Sequence, residues 1–248
     1  MKIIDFIATD KDFLDILPKP IPSCNNFPDW YKKTTSYIDN KKTIDMYSDP
    51  NSTIKKCIPV IDSLSMGYNI VLPCDLWIFN EGEDRIRFQW AMDGLELISE
   101  QKKEQYIEYP TPNGYYSTVF KFINQWITKT PNGYSSIFIH PLHHEDLPFK
   151  CIPAVVDTDK FPLPVNFPFF IKKDFNGLIP KGTPIIQILP FKREEFVSRY
   201  SWDKKSKFKN IWKKASLSFF DIYLKNFHSS KKFEQGDDKR ISKCPFGW

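Results

Sequence analysis

Residues 126–193 alternate short apolar runs with polar punctuation. They read W-I-T-K-T-P-N-G-Y-S-S-I-F-I-H-P, then A-V-V-D-T-D-K-F, F-P-F-F-I and L-I-P-K-G-T-P-I-I-Q-I-L-P-F-K-R. β-branched and aromatic runs closed by Pro, Gly and Asn predict closely spaced strands. The runs at 57–61, 67–72, 76–80 and 85–90 read the same way, with E-G-E-D at 81–84 as a hairpin turn in which Gly82 takes positive φ. T-P-N-G-Y occurs twice, at 111–115 and 130–134, and each copy predicts a Pro-Asn-Gly turn feeding a strand. Lys181-Gly182-Thr183 predicts a turn into a buried strand at 184–189, and 95–106 a short helix or loop.

The period changes near the C-terminus. Phe208, Ile211, Trp212, Ala215, Phe219, Ile222, Tyr223 and Phe227 recur at helical spacing with Lys205, Lys207, Lys209, Lys213, Lys214 and Lys225 between them, which predicts an amphipathic basic helix across 204–228. The last twenty residues read as frayed. Residues 1–50 read as an irregular arm anchored by Trp30 and Tyr31. The expected organisation is thus an N-terminal arm (1–50), a β domain (51–195) and a basic C-terminal helical extension (196–248). The expected fold is mainly β: a compact barrel or double sheet, β-clip-like or a double-stranded β-helix, with a C-terminal amphipathic helix.

Composition narrows the class. A hydrophobic fraction of 41% with 16% aromatics is that of a folded globule. Twenty prolines against nine glycines set many loops with fixed φ and leave little room for long helices before about residue 200. No run reaches the roughly 18 apolar residues of a membrane span, and Asp5 and Asp10 interrupt any secretory core at the N-terminus. Five cysteines, widely spaced and without a C-x-x-C pair, fit free thiols in a reducing cytosol (the host's, if the source is viral). The abundance of Lys, Asn, Ile and Phe suits an AT-rich genome such as many viruses carry. The net charge of +5 is uneven: from Lys192 onward 15 Lys/Arg face 7 Asp/Glu, a net of +8, whereas the preceding residues carry a net of −3.

Three groups of residues carry candidate chemistry. Asp157 and Asp159 flank Thr158 after an apolar pair; carboxylates one residue apart on a strand share a face, where they act as a general base and its partner or hold a metal. The plain alternative is an Asp-rich turn after a strand. His140, His143, His144, Glu145 and Asp146 are the densest set of potential metal ligands. His144 and Asp146 in an H-x-D pattern, with His228 downstream, offer the two-histidine, one-carboxylate set of Fe2+ and 2-oxoglutarate oxygenases, with Arg240 to grip the acidic cosubstrate. A solvated turn between strands is the competing reading. Gln187, inside the last strand, is a ligand or a hydrogen-bonded core residue, and Lys181-Gly182-Thr183 lacks the rest of a phosphate loop. The basic helix suits nucleic acid, an anionic membrane surface or plain solvent exposure. Cys74 and Cys151 read as core thiols.

The strand motifs of residues 55–195 resemble a domain family of unknown function found in phage and bacterial genomes. G-Y-N at 67–69, G-Y-S-S at 133–136, V-V-D-T-D at 155–159 and the G-T-P-I-I-Q-I strand also follow the motif order of the dUTPase and dCTP-deaminase superfamily. That resemblance implies a nucleotide-binding or hydrolysing pocket with Mg2+, in which Ser135 and Ser136 hold phosphates, Asp157 orients water, and Asp159, Asn69 and Gln187 line the site. Asn69 stands where an acidic residue is typical and Tyr134 where the Ser-rich turn has arginine; the glycine-rich lid is missing. The non-catalytic alternative is a viral accessory or structural protein that binds through its β surface and basic tail. Across these readings the expected partners are a small-molecule ligand, an anionic partner at the basic helix and a second copy of the chain.

Overall fold

The computed structural model describes residues 2–41, 51–82, 85–202, 207–211 and 222–236. Its strands are short: β1 Asp5–Ala8, β2 Ile21–Pro22, β3 Tyr68–Val71, β4 Leu76–Asn80, β5 Ile86–Trp90, β6 Ile98–Glu100, β7 Phe120–Phe122, β8 Trp126–Lys129, β9 Tyr134–Ile139, β10 Phe149–Cys151, β11 Ala154–Val156, β12 Phe167–Ile171, β13 Gly177–Ile179 and β14 Pro184–Lys192. The described residues also hold the helices α1 Lys11–Ile16, α2 Asp29–Lys33, α3 Ile58–Ser65 and α4 Ile222–Asn226; 207–211 are helical as well.

The strands form four sheets, ordered β11-β9-β14-β3-β2, β10-β12-β7-β6, β13-β4-β5 and β1-β8. The chain is therefore mainly β, but the expected barrel is not formed: among the described residues no sheet closes on itself. The five-stranded sheet shows why. One edge is the two-residue β2, where Pro22 has no N–H with which to recruit a neighbour; the other is the three-residue β11. In β14, Pro190 lies beyond the stretch paired with β3, so its missing donor costs no ladder bond on that side.

Two further expectations are corrected. Residues 57–61 belong to the start of α3, not to a strand: Pro59 sits in the first turn, where a missing N–H is harmless, and Ile61 and Leu64 bury one face. The N-terminal arm is not irregular, since β1 pairs with β8 and β2 with β3. Trp30 and Tyr31 do anchor it, Tyr31 by near-complete burial and Trp30 by donating to the His143 carbonyl at 2.7 Å.

The main core gathers side chains from all these sheets. At its centre Phe122 stacks on Phe169 with centroids 4.0 Å apart, and Phe149 meets both rings edge-on. A smaller cluster of Cys24, Phe27, Tyr31, Ile61 and Leu64 seals α2 and α3 against the domain. The predicted C-terminal helix falls largely outside the described residues. Residues 229–236, expected to fray, instead dock: Phe233 packs edge-on against Tyr68, whose hydroxyl donates to the Glu234 carbonyl.

Candidate functional site

The second T-P-N-G-Y segment builds the most polar corner of the molecule. Tyr134 N–H donates to the Pro131 carbonyl and Gly133 sits at φ +82, a conformation that favours glycine. The turn delivers Ser135 and Ser136 onto β9. β11 pairs beside them with Val156 opposite Ser136, so the chain leaves the sheet at Asp157. On the other side β14 pairs Phe191 with Ser135 and Lys192 with Tyr134, which brings Arg193 to the same corner.

There the groups satisfy one another. Ser135 Oγ donates to Asp157 Oδ1 at 2.6 Å and accepts from Arg193 Nη1 at 3.0 Å. Arg193 grips Asp159 with both terminal nitrogens, donates to the Tyr134 carbonyl and lies 3.3 Å from Asp157. Gly133 N–H adds a bond to Asp159 at 2.8 Å. The Arg193 hydrogen bond, reinforced by that backbone N–H, holds the Asp159 carboxyl far below the usual carboxylate range. The Asp159 side chain is 4% exposed and that of Asp157 53%. Ser136 points the other way, into a hydroxyl chain. Thr130 gives its proton to the Tyr134 carbonyl, so Thr158 donates to Thr130 at 2.8 Å and Ser136 to Thr158 at 2.9 Å.

Asp157 and Asp159 lie in a turn after β11 rather than on a strand face, and both contact the Arg193 guanidinium. Arg193 is the residue that sequence reading missed. It comes from just beyond the end of β14, 59 positions after Tyr134, and the β14–β9 register brings it near.

The other candidates lie elsewhere. Gln187 is a fully bonded core residue: Oε1 accepts from Leu142 N–H, and Nε2 donates to the Ser63 and Met66 carbonyls. Asn69, its partner across β3 and β14, is buried and accepts from Ser23 Oγ. His144 and Asp146 belong to the turn between β9 and β10, where His144 is buried with Nε2 against the Asn26 carbonyl, while Asp146 is exposed. His140 accepts from Cys151 N–H and donates to the His144 carbonyl. Burial lowers the pKa of both His140 and His144, favouring the neutral ring. His228 is not brought to them: it binds Asp62, which Lys231 also holds at 2.7 Å. Among the described residues no three His, Cys, Asp or Glu side chains converge to hold a metal ion. Arg240 lies outside the described residues. Burial pushes the Cys74 and Cys151 thiols up, and Cys57, Cys74 and Cys151 are free thiols.

Two of the hollows among the described residues lie near these groups or within the core. One, shallow and open, is lined by Lys2, Asp5, Lys129, Thr130 and Asn132 on the outer side of the turn. The other, between Leu17, Ile70, Leu97 and Trp126, measures about 30 Å3, room for a single water. No helix among the described residues is long and apolar enough to cross a membrane. No protein-family model matches the chain, and a search of curated proteins found no match.

Proposed function

We propose that this is a non-catalytic binding protein that meets an anionic partner through the basic segment after β14. The observation that carries the reading is where the polar chemistry is spent. Ser135, Ser136, Asn69, Gln187 and His144 are buried with their polar atoms bonded to protein groups. The excess of positive charge lies beyond them, in the net +8 from Lys192 to the end of the sequence. A thermal-shift screen tests this. Neither deoxynucleotides with Mg2+ nor Fe2+ with 2-oxoglutarate stabilises the protein, whereas heparin does, and charge reversal at Lys213 and Lys214 removes that effect. A ligand at about 100 times its Kd adds about 2.7 kcal/mol, so a real site is visible.

A second reading rests on Asp157, a candidate carboxylate open to solvent, with Ser135 and Arg193 against it. Under that reading the corner binds a nucleotide, and Asp157 orients water. A nucleotide-specific shift that Asp157→Ala abolishes without unfolding the protein transfers the assignment to it. An iron-dependent shift lost in His144→Ala does the same for the oxygenase alternative.

A further inference from the structure

We infer that the turn between β9 and β10 is an acid-sensitive latch: protonating His140 and His144 releases residues 26–34 of the N-terminal arm from the β domain. The turn fastens three other parts of the chain. The His143 carbonyl accepts from Trp30 of α2 at 2.7 Å, His143 Nε2 lies 2.8 Å from Ser63 Oγ on α3, and His144 Nε2 lies 3.2 Å from the Asn26 carbonyl. His143 takes φ +63, which a non-glycine residue adopts only where its surroundings hold it.

His140 sets the shape of this turn. Its Nδ1 accepts from Cys151 N–H at 3.4 Å, which leaves Nε2 to carry the ring proton and donate to the His144 carbonyl at 3.2 Å. A second proton has to go to Nδ1, where it faces the Cys151 N–H. Charging the ring therefore breaks a bond across the base of the turn. His144 is 6% exposed, so charging it places a cation largely out of water. The groups facing the two rings are mixed in sign. Glu145, Lys150 and the His144 ring act on His140, while Asp146, Lys32 of α2 and the His143 ring act on His144. Lys172 also reaches the turn, donating to the Glu145 carbonyl at 2.9 Å. Glu145 and Asp146 are exposed, so their attraction is screened, and burial holds both rings below the usual imidazole range. A released ring returns to its ordinary value of about 6.5. Release thus takes up protons: the latch is fully closed above that pH and loosens as the pH falls below it.

The test is labelling of the full-length protein with dithiodipyridine, which reacts with thiols even in acid, located by mass spectrometry. Cys24, buried with Phe27 and Tyr31 in the small cluster, reports on the arm, and Cys74, in the main core, on the whole fold. Lowering the pH from about 7.5 to about 5.5 raises Cys24 labelling, relative to a small free thiol, by roughly ten- to a hundredfold while Cys74 stays protected. His140→Gln and His144→Gln, whose amides do not titrate, each reduce that rise, and the double variant abolishes it. Cys24 labelling that is insensitive to pH overturns the latch, and so does Cys24 opening only together with Cys74; neither outcome depends on a variant that folds. A full acid rise in the double variant overturns it as well.

Discussion

Arg193 reaches Asp159, Ser135 and the Tyr134 carbonyl at once, and the linked carboxyl titrates far below its ordinary value. A carboxylate whose folded pKa lies below the unfolded value of about 3.9 stabilises the fold at all pH above that value, and the gain fades as pH falls towards the folded value. Asp159→Asn therefore lowers the melting temperature equally at pH 7 and pH 5, and the gap to the unaltered protein narrows below about pH 4. A gap that persists unchanged under strong acid would show that the charge is irrelevant. At this scale the motif resemblance grouped Ser135, Ser136, Asp157, Asp159, Asn69 and Gln187 in one pocket, whereas only Ser135, Asp157 and Asp159 gather around Arg193. Arg193 was illegible there, since nothing local says that β14 lies beside β9.

Among the elements, β14 leaves no room for a side chain where Gly67 leads into β3. Gly67 has φ +75, and a Cβ on it would lie 2.0 Å from the Ile188 carbonyl oxygen. Gly67→Ala thus costs about 1–3 kcal/mol from backbone strain alone, with the clash added. The measurement is a fall in urea midpoint at unchanged slope. The turns at 112–115 and 131–134 were readable because Pro-Asn-Gly specifies them locally, and both form the same backbone hydrogen bond. The first copy enters an isolated bridge between Tyr115 and Lys172 rather than a strand. Residues 57–61 were misread because a short apolar run carries no period of its own; only Leu64, one turn further on, reveals the helix.

For the whole molecule, the chain is held at Arg193 before the exposed rings of Phe196, Tyr200 and Trp202 and at His228, Lys231 and Phe233 after them, which makes a prediction. Chymotrypsin cuts first at Phe196, Tyr200 or Trp202, and the two fragments still elute together in size exclusion, since Asp62 and Tyr68 hold the distal piece. Asp62→Ala removes the His228 and Lys231 contacts and lets that piece dissociate. Co-elution of the cleaved Asp62→Ala protein would mean that Tyr68 and Phe233 suffice. The histidines make the same point about scale. Close in sequence, His140 and His144 brace the turn after β9, while His228 serves the α3 face, so a ligand set assembled from spacing is divided between two regions of the fold.

Local chemistry determined the strand-rich character, the Pro-Asn-Gly turns, the uneven charge and the absence of a long apolar span, because each depends on residues within a few positions of one another. Tertiary structure decided the rest. Sheet order, the open edges at Pro22 and β11, the capture of Asp159 by Arg193 and the docking of Phe233 on Tyr68 all join positions far apart in the chain. Such contacts depend on strand register and on which faces find burial together, and neither is set by the neighbours of any one residue.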